Sequence, residues 1–95
     1  MMKKETNALQ VIARTAHCPE YSAGMIKRLM ATLGVNEKGF ALLMNVTPTT
    51  VRLWVSGAVQ PSSTAKRLMQ IYENGPEIVG TLVDEQAGAE SENDR

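Results

Sequence analysis

Apolar residues recur at helical spacing along most of the chain, in short segments separated by glycine, proline and asparagine. No stretch alternates apolar and polar residues as a half-buried strand would. This spacing predicts an all-α fold, a compact bundle of about five short helices. The predicted helices cover residues 6–15, 22–33, 37–44, 47–55 and 62–74, and a last short helix begins at Pro76.

The ends of these segments carry residues that begin and end helices. Ser22, Asn36 and Thr47 stand where an N-cap side chain accepts a backbone hydrogen bond. Pro48 follows at a first helical position, where its missing N–H is not needed. Asn45 stands where the chain must turn, and asparagine tolerates the left-handed conformation. Glycines that end helices follow three other segments: Gly34, Gly57 and Gly75.

The apolar side of each helix predicts the core. Its expected members recur at helical spacing and are Met25, Ile26, Leu29, Met30, Leu33, Phe40, Ala41, Leu43, Met44, Val46, Val51, Trp54, Ala65, Leu68, Met69 and Tyr72. The first segment has Leu9, Ile12 and Ala13 on one side, and the last short helix has Ile78, Val79, Leu82 and Val83. In segment 47–55, Thr49, Arg52 and Leu53 point away from this face. That short helix therefore presents an outward surface that can touch another molecule.

The length and the charge pattern divide the chain into three parts. Ninety-five residues make one domain, which we place at 21–84, after an N-terminal extension over 1–20. Residues 85–95 form an acidic tail that we expect to be disordered. The net charge is +1 over 1–20, +3 over 21–80 and −4 over 81–95. A mildly basic body allows a polyanionic partner.

Cysteine and histidine content argue against several functional classes. The single cysteine, Cys18, forms no internal disulfide, and the adjacent pair His17-Cys18 lacks further ligands for zinc, so we expect no metal site. No catalytic constellation or phosphate loop stands out, and we expect neither an enzyme nor a cofactor.

The N-terminal apolar run is too short for a signal peptide, and no stretch reaches the length of a membrane span. These features predict a cytoplasmic protein.

The third and fourth segments belong together. A tight turn, Met44-Asn45-Val46, joins two short helices, and the small Ala41 lets them cross closely. This is the pattern of a helix-turn-helix, whose second helix enters the DNA major groove by its N-terminal end.

Residues 22–83 resemble the Xre-like, phage-repressor-type helix-turn-helix domain, and are most similar to small antitoxin-type regulators encoded beside toxins. The resemblance covers about two thirds of the chain and rests on the ordered run IKRLMATLGVNEKGFALLMNVTPTTVRLWVSGAVQP. The matching positions keep the order of the family pattern and are Leu33-Gly34, Asn36, Phe40-Ala41, Thr47, Thr50-Val51, Trp54, Gly57 and Pro61.

The resemblance implies that 47–55 is the recognition helix. The base-reading candidates are its outward residues, namely Thr47, Pro48, Thr49, Arg52 and Leu53. The phosphate candidates are polar or basic and are Asn36, Lys38, Thr50, Lys27, Arg28 and Lys66. Simpler interpretations stay open: Arg52 as a solvated arginine, Thr47 as a cap alone, and the Lys27-Arg28 and Lys66-Arg67 pairs as solvated faces.

Several positions depart from the family pattern. The family often pairs an arginine and a glutamate where this chain has Met30 and Val55, and apolar packing can replace such a pair. Glu37 stands where the family offers a glutamine to a phosphate, and a carboxylate would repel that phosphate. The loop residues 58–60 are uncharged, although the family loop is often basic. These changes weaken the expected phosphate anchoring more than the fold.

Three functions follow as hypotheses. The first is a sequence-specific transcriptional regulator, most simply a repressor, that binds double-stranded DNA as a homodimer. The second is an antitoxin that binds a toxin through 6–15 or the acidic tail and regulates its own operon. The third is a protein-interaction module that has kept the fold and lost DNA binding.

Overall fold

The computed structural model describes Val11 and residues 15–82. Four α-helices follow one another, α1 (Ala23–Leu33), α2 (Glu37–Met44), α3 (Pro48–Ser56) and α4 (Ser63–Asn74), and a 3-10 helix covers Pro76–Leu82. The described residues contain no strand, so the predicted all-α fold is confirmed. Of the predicted helix over 6–15, only Val11 and Thr15 are among the described residues. Most of the N-terminal extension and the whole acidic tail also lie outside the described residues.

The predicted caps begin and end the helices. Asn36 accepts a hydrogen bond from the Gly39 N–H at 2.8 Å, and the Ser22 hydroxyl accepts from the Met25 N–H at 3.2 Å. Each cap satisfies a backbone donor that has no partner within its own helix. Helix α1 ends at Gly34 in the left-handed region, with φ of 73°. The short helices therefore have fixed lengths that local sequence determines.

The core lies where α3 packs against both α1 and α2, while α4 packs against α1 and the 3-10 helix. Its buried members are Tyr21, Ile26, Leu29, Met30, Phe40, Ala41, Met44, Val51, Trp54, Met69 and Tyr72. All of them except Tyr21 were predicted from helical spacing. Met30 is buried and Val55 packs against the core, so both of these positions contribute apolar packing.

A segment without regular secondary structure precedes α1 and contacts α4. We call residues 15–21 the N-terminal strap. The Arg67 guanidinium donates to the Ala16 carbonyl, and the Gln70 amide donates to the His17 carbonyl, each at 2.9 Å. Gln70 also accepts a hydrogen bond from Arg67 at 2.6 Å, so this buried side chain is satisfied at both ends.

Two side-chain contacts complete the attachment of the strap. Lys66 Nζ lies 2.9 Å from Glu20 Oε1, and the Tyr21 hydroxyl donates to Glu73 Oε1 at 2.5 Å. Burial, the hydrogen bond to Glu73 and the Glu73 charge raise the pKa of Tyr21 well above its ordinary 10.0. The predicted domain boundary between residues 20 and 21 remains a prediction, but these contacts lead us to propose that the strap belongs with the helical domain.

A second buried tyrosine ties α4 to α2. The Tyr72 hydroxyl donates to the Leu43 carbonyl at 2.6 Å, near the C-terminus of α2. Burial of the ring raises the pKa of Tyr72 above 10.0. Tyr72 thereby holds α4 close to the α2–α3 pair, where the candidate site lies.

Within the part of the chain that is described, none of the helices combines the length and apolar character needed to cross a membrane.

Candidate nucleic-acid interface

Three consecutive residues, Asn45, Val46 and Thr47, form the turn between α2 and α3. Asn45 adopts the left-handed conformation, with φ of 59° and ψ of 47°, and is the one non-glycine residue of the described chain with positive φ. The Val46 N–H then donates to the Ala41 carbonyl at 2.9 Å. Thr47 caps α3 by accepting from the Thr50 N–H at 3.2 Å. This local hydrogen bonding fixes the direction in which α3 leaves the turn.

The inner face of α3 anchors it to the domain. Val51 is fully buried and Trp54 is 4% exposed. The Trp54 ring meets the Phe40 ring of α2 edge to face, with centroids 6.5 Å apart and planes at 76°. An edge-to-face aromatic pair contributes about 0.5–1.5 kcal/mol beyond the area that it buries. Trp54 is thus a packing residue, as its spacing predicted.

The outer face of α3 holds most of the predicted base-reading residues. Pro48, Thr49 and Arg52 are exposed, and Leu53 retains 39% exposure. Thr47, at the cap, is exposed too, whereas the Thr50 side chain is half-buried and its hydroxyl lies 3.0 Å from the Thr47 hydroxyl. The outward surface expected from the sequence therefore exists, and its use in DNA binding stays a prediction.

The Arg52 guanidinium lies between two acceptors. Its Nη2 donates to the Thr49 hydroxyl, one helical turn earlier, at 3.1 Å. Its Nη1 is 3.7 Å from Glu37 Oε1, on the first turn of α2. Both ionic side chains keep substantial exposure, 57% for Arg52 and 40% for Glu37. Arg52 therefore has a hydrogen-bond partner on α3 and an ionic partner on α2.

A shallow groove separates the N-terminal ends of α2 and α3. It has a volume of about 380 Å³ and is lined by Asn36, Glu37, Lys38, Pro48 and Arg52. The amide ends of both helices favour an anion there, as do two cationic side chains, while the Glu37 carboxylate opposes one. Two phosphate candidates, Asn36 and Lys38, thus meet two base-reading candidates in one groove.

The remaining basic candidates lie on other helices. Lys27 and Arg28 are exposed on α1. Lys66, on α4, is half-buried with a side-chain exposure of 19%, and its charge is paired with Glu20 of the strap. Lys66 is paired with Glu20, and Arg67 donates to Ala16 and Gln70, so neither side chain is simply solvated. A phosphate contact by Lys66 would have to compete with Glu20.

Sequence reasoning missed the two charged contacts that change the site most. Glu37 was recognised as unfavourable for phosphate, but not as the partner of Arg52. Opposite charge at the start of α2 and in the middle of α3 was the available signal, since the helix-turn-helix brings these turns together. The pair Lys66–Glu20 had no such signal, because residues 15–21 carry no periodic pattern.

A wider groove, of about 510 Å³, lies between the strap and the first turns of α4. The residues that line it are Cys18, Ser63, Thr64, Arg67, Leu68 and Ile71. It contains none of the predicted site residues. Among the described residues, no three side chains of His, Cys, Asp or Glu lie together where they could hold a metal ion.

Comparison with known proteins gives one group of relatives. No protein-family model matches the chain. The chain is 29% identical over 84 residues to the uncharacterized HTH-type transcriptional regulator YiaG of Escherichia coli K12, and this match covers 88% of the chain and 82% of the relative. The same figures hold for YiaG of E. coli O6:H1 and of E. coli O157:H7. Over most of its length, the chain is therefore a distant homologue of an HTH-type transcriptional regulator.

Proposed function

We propose that this protein is a sequence-specific DNA-binding transcriptional regulator, a repressor that acts as a homodimer and reads the major groove with α3. The observation that carries the proposal is the two-sided character of α3. Val51 and Trp54 fix one side in the core, while Thr49, Arg52 and Leu53 stand exposed on the other. The homology to an HTH-type transcriptional regulator supports the same function.

Each outward side chain of α3 suits a particular base edge. Arg52 can donate two hydrogen bonds to the O6 and N7 acceptors of guanine. Thr49 offers a hydroxyl to a base and a methyl group to thymine, and Leu53 offers an apolar contact to a thymine methyl group. Pro48 and Thr47 stand at the N-terminal end of the helix, the end that enters the groove in this motif.

The phosphate contacts would come mainly from the groove between the two helix N-termini. Lys38 is exposed there, and Asn36 caps the helix from which Lys38 projects. Thr50 lies in the first turn of α3, and Lys27 and Arg28 add positive charge from α1. These contacts would position α3 without reading sequence.

Dimerisation would supply the affinity that one weakly charged domain lacks. Helix-turn-helix dimers bind half-sites about one helical turn apart. Apolar side chains remain exposed on α4, on the loop before it and on the 3-10 helix, and they are Ile71, Val59, Ile78 and Leu82. We propose that the dimer surface is built from these elements.

A gel-shift titration tests the proposal. The purified protein is titrated onto the DNA upstream of its own gene and onto random DNA of equal length, at two salt concentrations. A DNA-binding regulator shifts the upstream fragment first and keeps this preference at the higher salt, although both affinities fall as counterions compete for the phosphates. Equal binding to both fragments at every salt concentration would contradict sequence-specific binding.

Replacing Arg52 separates base reading from phosphate contact. We expect Arg52→Ala to weaken specific binding by about 1–3 kcal/mol and to leave binding to random DNA less affected. Arg28→Ala is the matched control, since it removes an arginine proposed to contact phosphate and should weaken binding to both DNAs alike. A uniform loss for Arg52→Ala would make Arg52 a phosphate contact only.

A protein-binding module is the second candidate, because Glu37 already occupies one side of the Arg52 guanidinium. A carboxylate within the proposed reading surface is unfavourable for unselective DNA binding, and Leu42 of α2, at 76% exposure, offers an apolar contact to a protein. A DNA-binding protein with several phosphate contacts loses affinity steeply as the salt concentration rises. A protein-binding module would show no such salt-dependent binding to DNA. The segments proposed to bind a toxin, 6–15 and 85–95, lie almost wholly outside the described residues, so the antitoxin hypothesis stays a prediction.

A further inference from the structure

We propose that Glu37 is a specificity-determining residue that restrains Arg52 from binding DNA of arbitrary sequence. This inference rests on the proposed function, since it concerns how the same surface discriminates between DNA sequences. The juxtaposition that carries it is the ion pair between the first turn of α2 and the exposed face of α3, in which Arg52 Nη1 and Glu37 Oε1 are 3.7 Å apart.

The geometry restricts what the Arg52 guanidinium can do without cost. Thr49 and Glu37 each take one of its terminal nitrogens, at 3.1 Å and 3.7 Å. A phosphate that approached Arg52 from the side of Glu37 would meet the negative charge of the carboxylate. A phosphate can also accept two hydrogen bonds from the guanidinium fork, but it is an anion that the Glu37 carboxylate repels, whereas a guanine edge offers two neutral acceptors. The pair therefore favours the bidentate base contact over backbone contact.

The charge of Glu37 acts in the same direction. The groove between the helix N-termini is lined by the cations Lys38 and Arg52 and by the Glu37 carboxylate. Without Glu37, the groove would carry two uncompensated positive charges beside two helix N-termini, an arrangement that attracts any phosphate. With it, one of those charges is offset before DNA arrives. The expected result is weaker binding to the backbone that all sequences share.

The effect can be separated from folding. Both partners are exposed, at 57% and 40%, and ion pairs at such positions contribute little to stability. Asn36, not Glu37, caps α2. Glu37→Gln keeps the size and hydrogen-bonding ability of the side chain and removes only its charge, so the variant should fold and melt close to the parent protein.

The test uses duplexes selected by the protein itself. Rounds of selection from a library with a randomised centre provide a preferred duplex, and a scrambled duplex of the same composition serves as the unselective probe. We expect Glu37→Gln to bind the scrambled duplex about fivefold more tightly, because one elementary charge near a phosphate has been removed. The preferred duplex should gain about twofold at most, so the ratio of the two affinities falls.

A double-mutant cycle assigns the gain to Arg52. In Glu37→Gln, the dependence of log affinity for the scrambled duplex on log salt concentration should steepen by about one unit, as for one added phosphate contact. When Arg52→Ala is added to this variant, the slope should return to the value of the parent protein. Glu92→Gln, which removes one carboxylate from the acidic tail and lies outside the proposed DNA and dimer surfaces, is the matched control and should leave the affinity ratio unchanged.

Two results would overturn the inference, and they differ. If the parent protein enriches a preferred duplex but Glu37→Gln leaves the affinity ratio and the salt slope as in Glu92→Gln, Glu37 does not determine specificity, and the proposed function stands. If the parent protein enriches no sequence from the library, the proposed function fails, and the role of Glu37 fails with it.

Discussion

The hydrogen bond between Tyr21 and Glu73 makes a quantitative prediction about how the strap is held. Tyr21→Phe keeps the ring, which is 2% exposed, and removes only the hydroxyl that donates to Glu73 Oε1 at 2.5 Å. A hydrogen bond to a charged group contributes about 1.5–3 kcal/mol. Glu73 is exposed and regains water when the hydroxyl is lost, so we expect the lower end, about 1.5 kcal/mol.

That loss is large enough to measure in a domain of this size. A change of about 1.5 kcal/mol corresponds to a fall in Tm of about 6–12 °C. Trp54, the single tryptophan of the chain, is 4% exposed and reports unfolding through its fluorescence in thermal and urea titrations. Helical circular dichroism provides an independent probe, and coincidence of the two supports two-state unfolding.

A second variant identifies the source of the loss. Glu73→Ala removes the acceptor from an exposed position of α4, where alanine is a good helix former. In that background Tyr21→Phe should cost almost nothing, because the hydroxyl no longer has its partner. An equal cost in both backgrounds would refute the reasoning and would place the contribution of Tyr21 in its packing.

Three further predictions concern pH, the turn and the cap. The pKa values of Tyr21 and Tyr72 are raised in the folded state, so the unfolded chain releases these protons first as the pH rises. Below pH 10.0 the two tyrosines should leave the free energy of unfolding unchanged. Above pH 10.0 this free energy should fall, by up to about 1.4 kcal/mol per pH unit for each group. Urea titrations between pH 9 and 11 check this, and a decline as steep in Tyr21→Phe as in the parent would contradict it. Asn45→Ala should lower the free energy of unfolding by about 1 kcal/mol, because alanine tolerates the left-handed backbone poorly, while Asn45→Gly should be tolerated. If chemical denaturation gives the two variants equal stability, alanine is not strained at this turn. Thr47→Ala should lower the free energy of unfolding by about 1 kcal/mol through loss of the α3 cap, and a loss below a few tenths would show that water replaces the hydroxyl.

The helix-turn-helix could be predicted because its signals are local. Asn36, Thr47 and Pro48 mark helix starts by backbone chemistry that operates within one turn. Asn45 marks the turn because few other residues adopt positive φ without strain. The burial of Val51 and Trp54 followed from their spacing of three residues along one helix. None of these inferences required knowledge of distant parts of the chain.

The strap could not be predicted, because its partners are remote and its sequence has no period. Tyr21 and Glu73 are 52 residues apart, and Gln70 and His17 are 53 residues apart. A segment that accepts hydrogen bonds through its backbone carbonyls places few demands on side-chain type. The Glu37–Arg52 pair was missed for a different reason, since an exposed ion pair depends on rotamers that helical periodicity does not determine.

The position of the strap also has a consequence for the order of folding. The helix ends and the α2–α3 turn close over short stretches of chain, whereas the strap joins α4 only when some fifty residues have been brought together. Contacts that close long loops tend to form late, so Tyr21 should have a φ-value near zero. Its stabilising effect would then appear almost wholly as slower unfolding. The strap would thus determine how long a folded molecule persists, and the helix caps how quickly it forms.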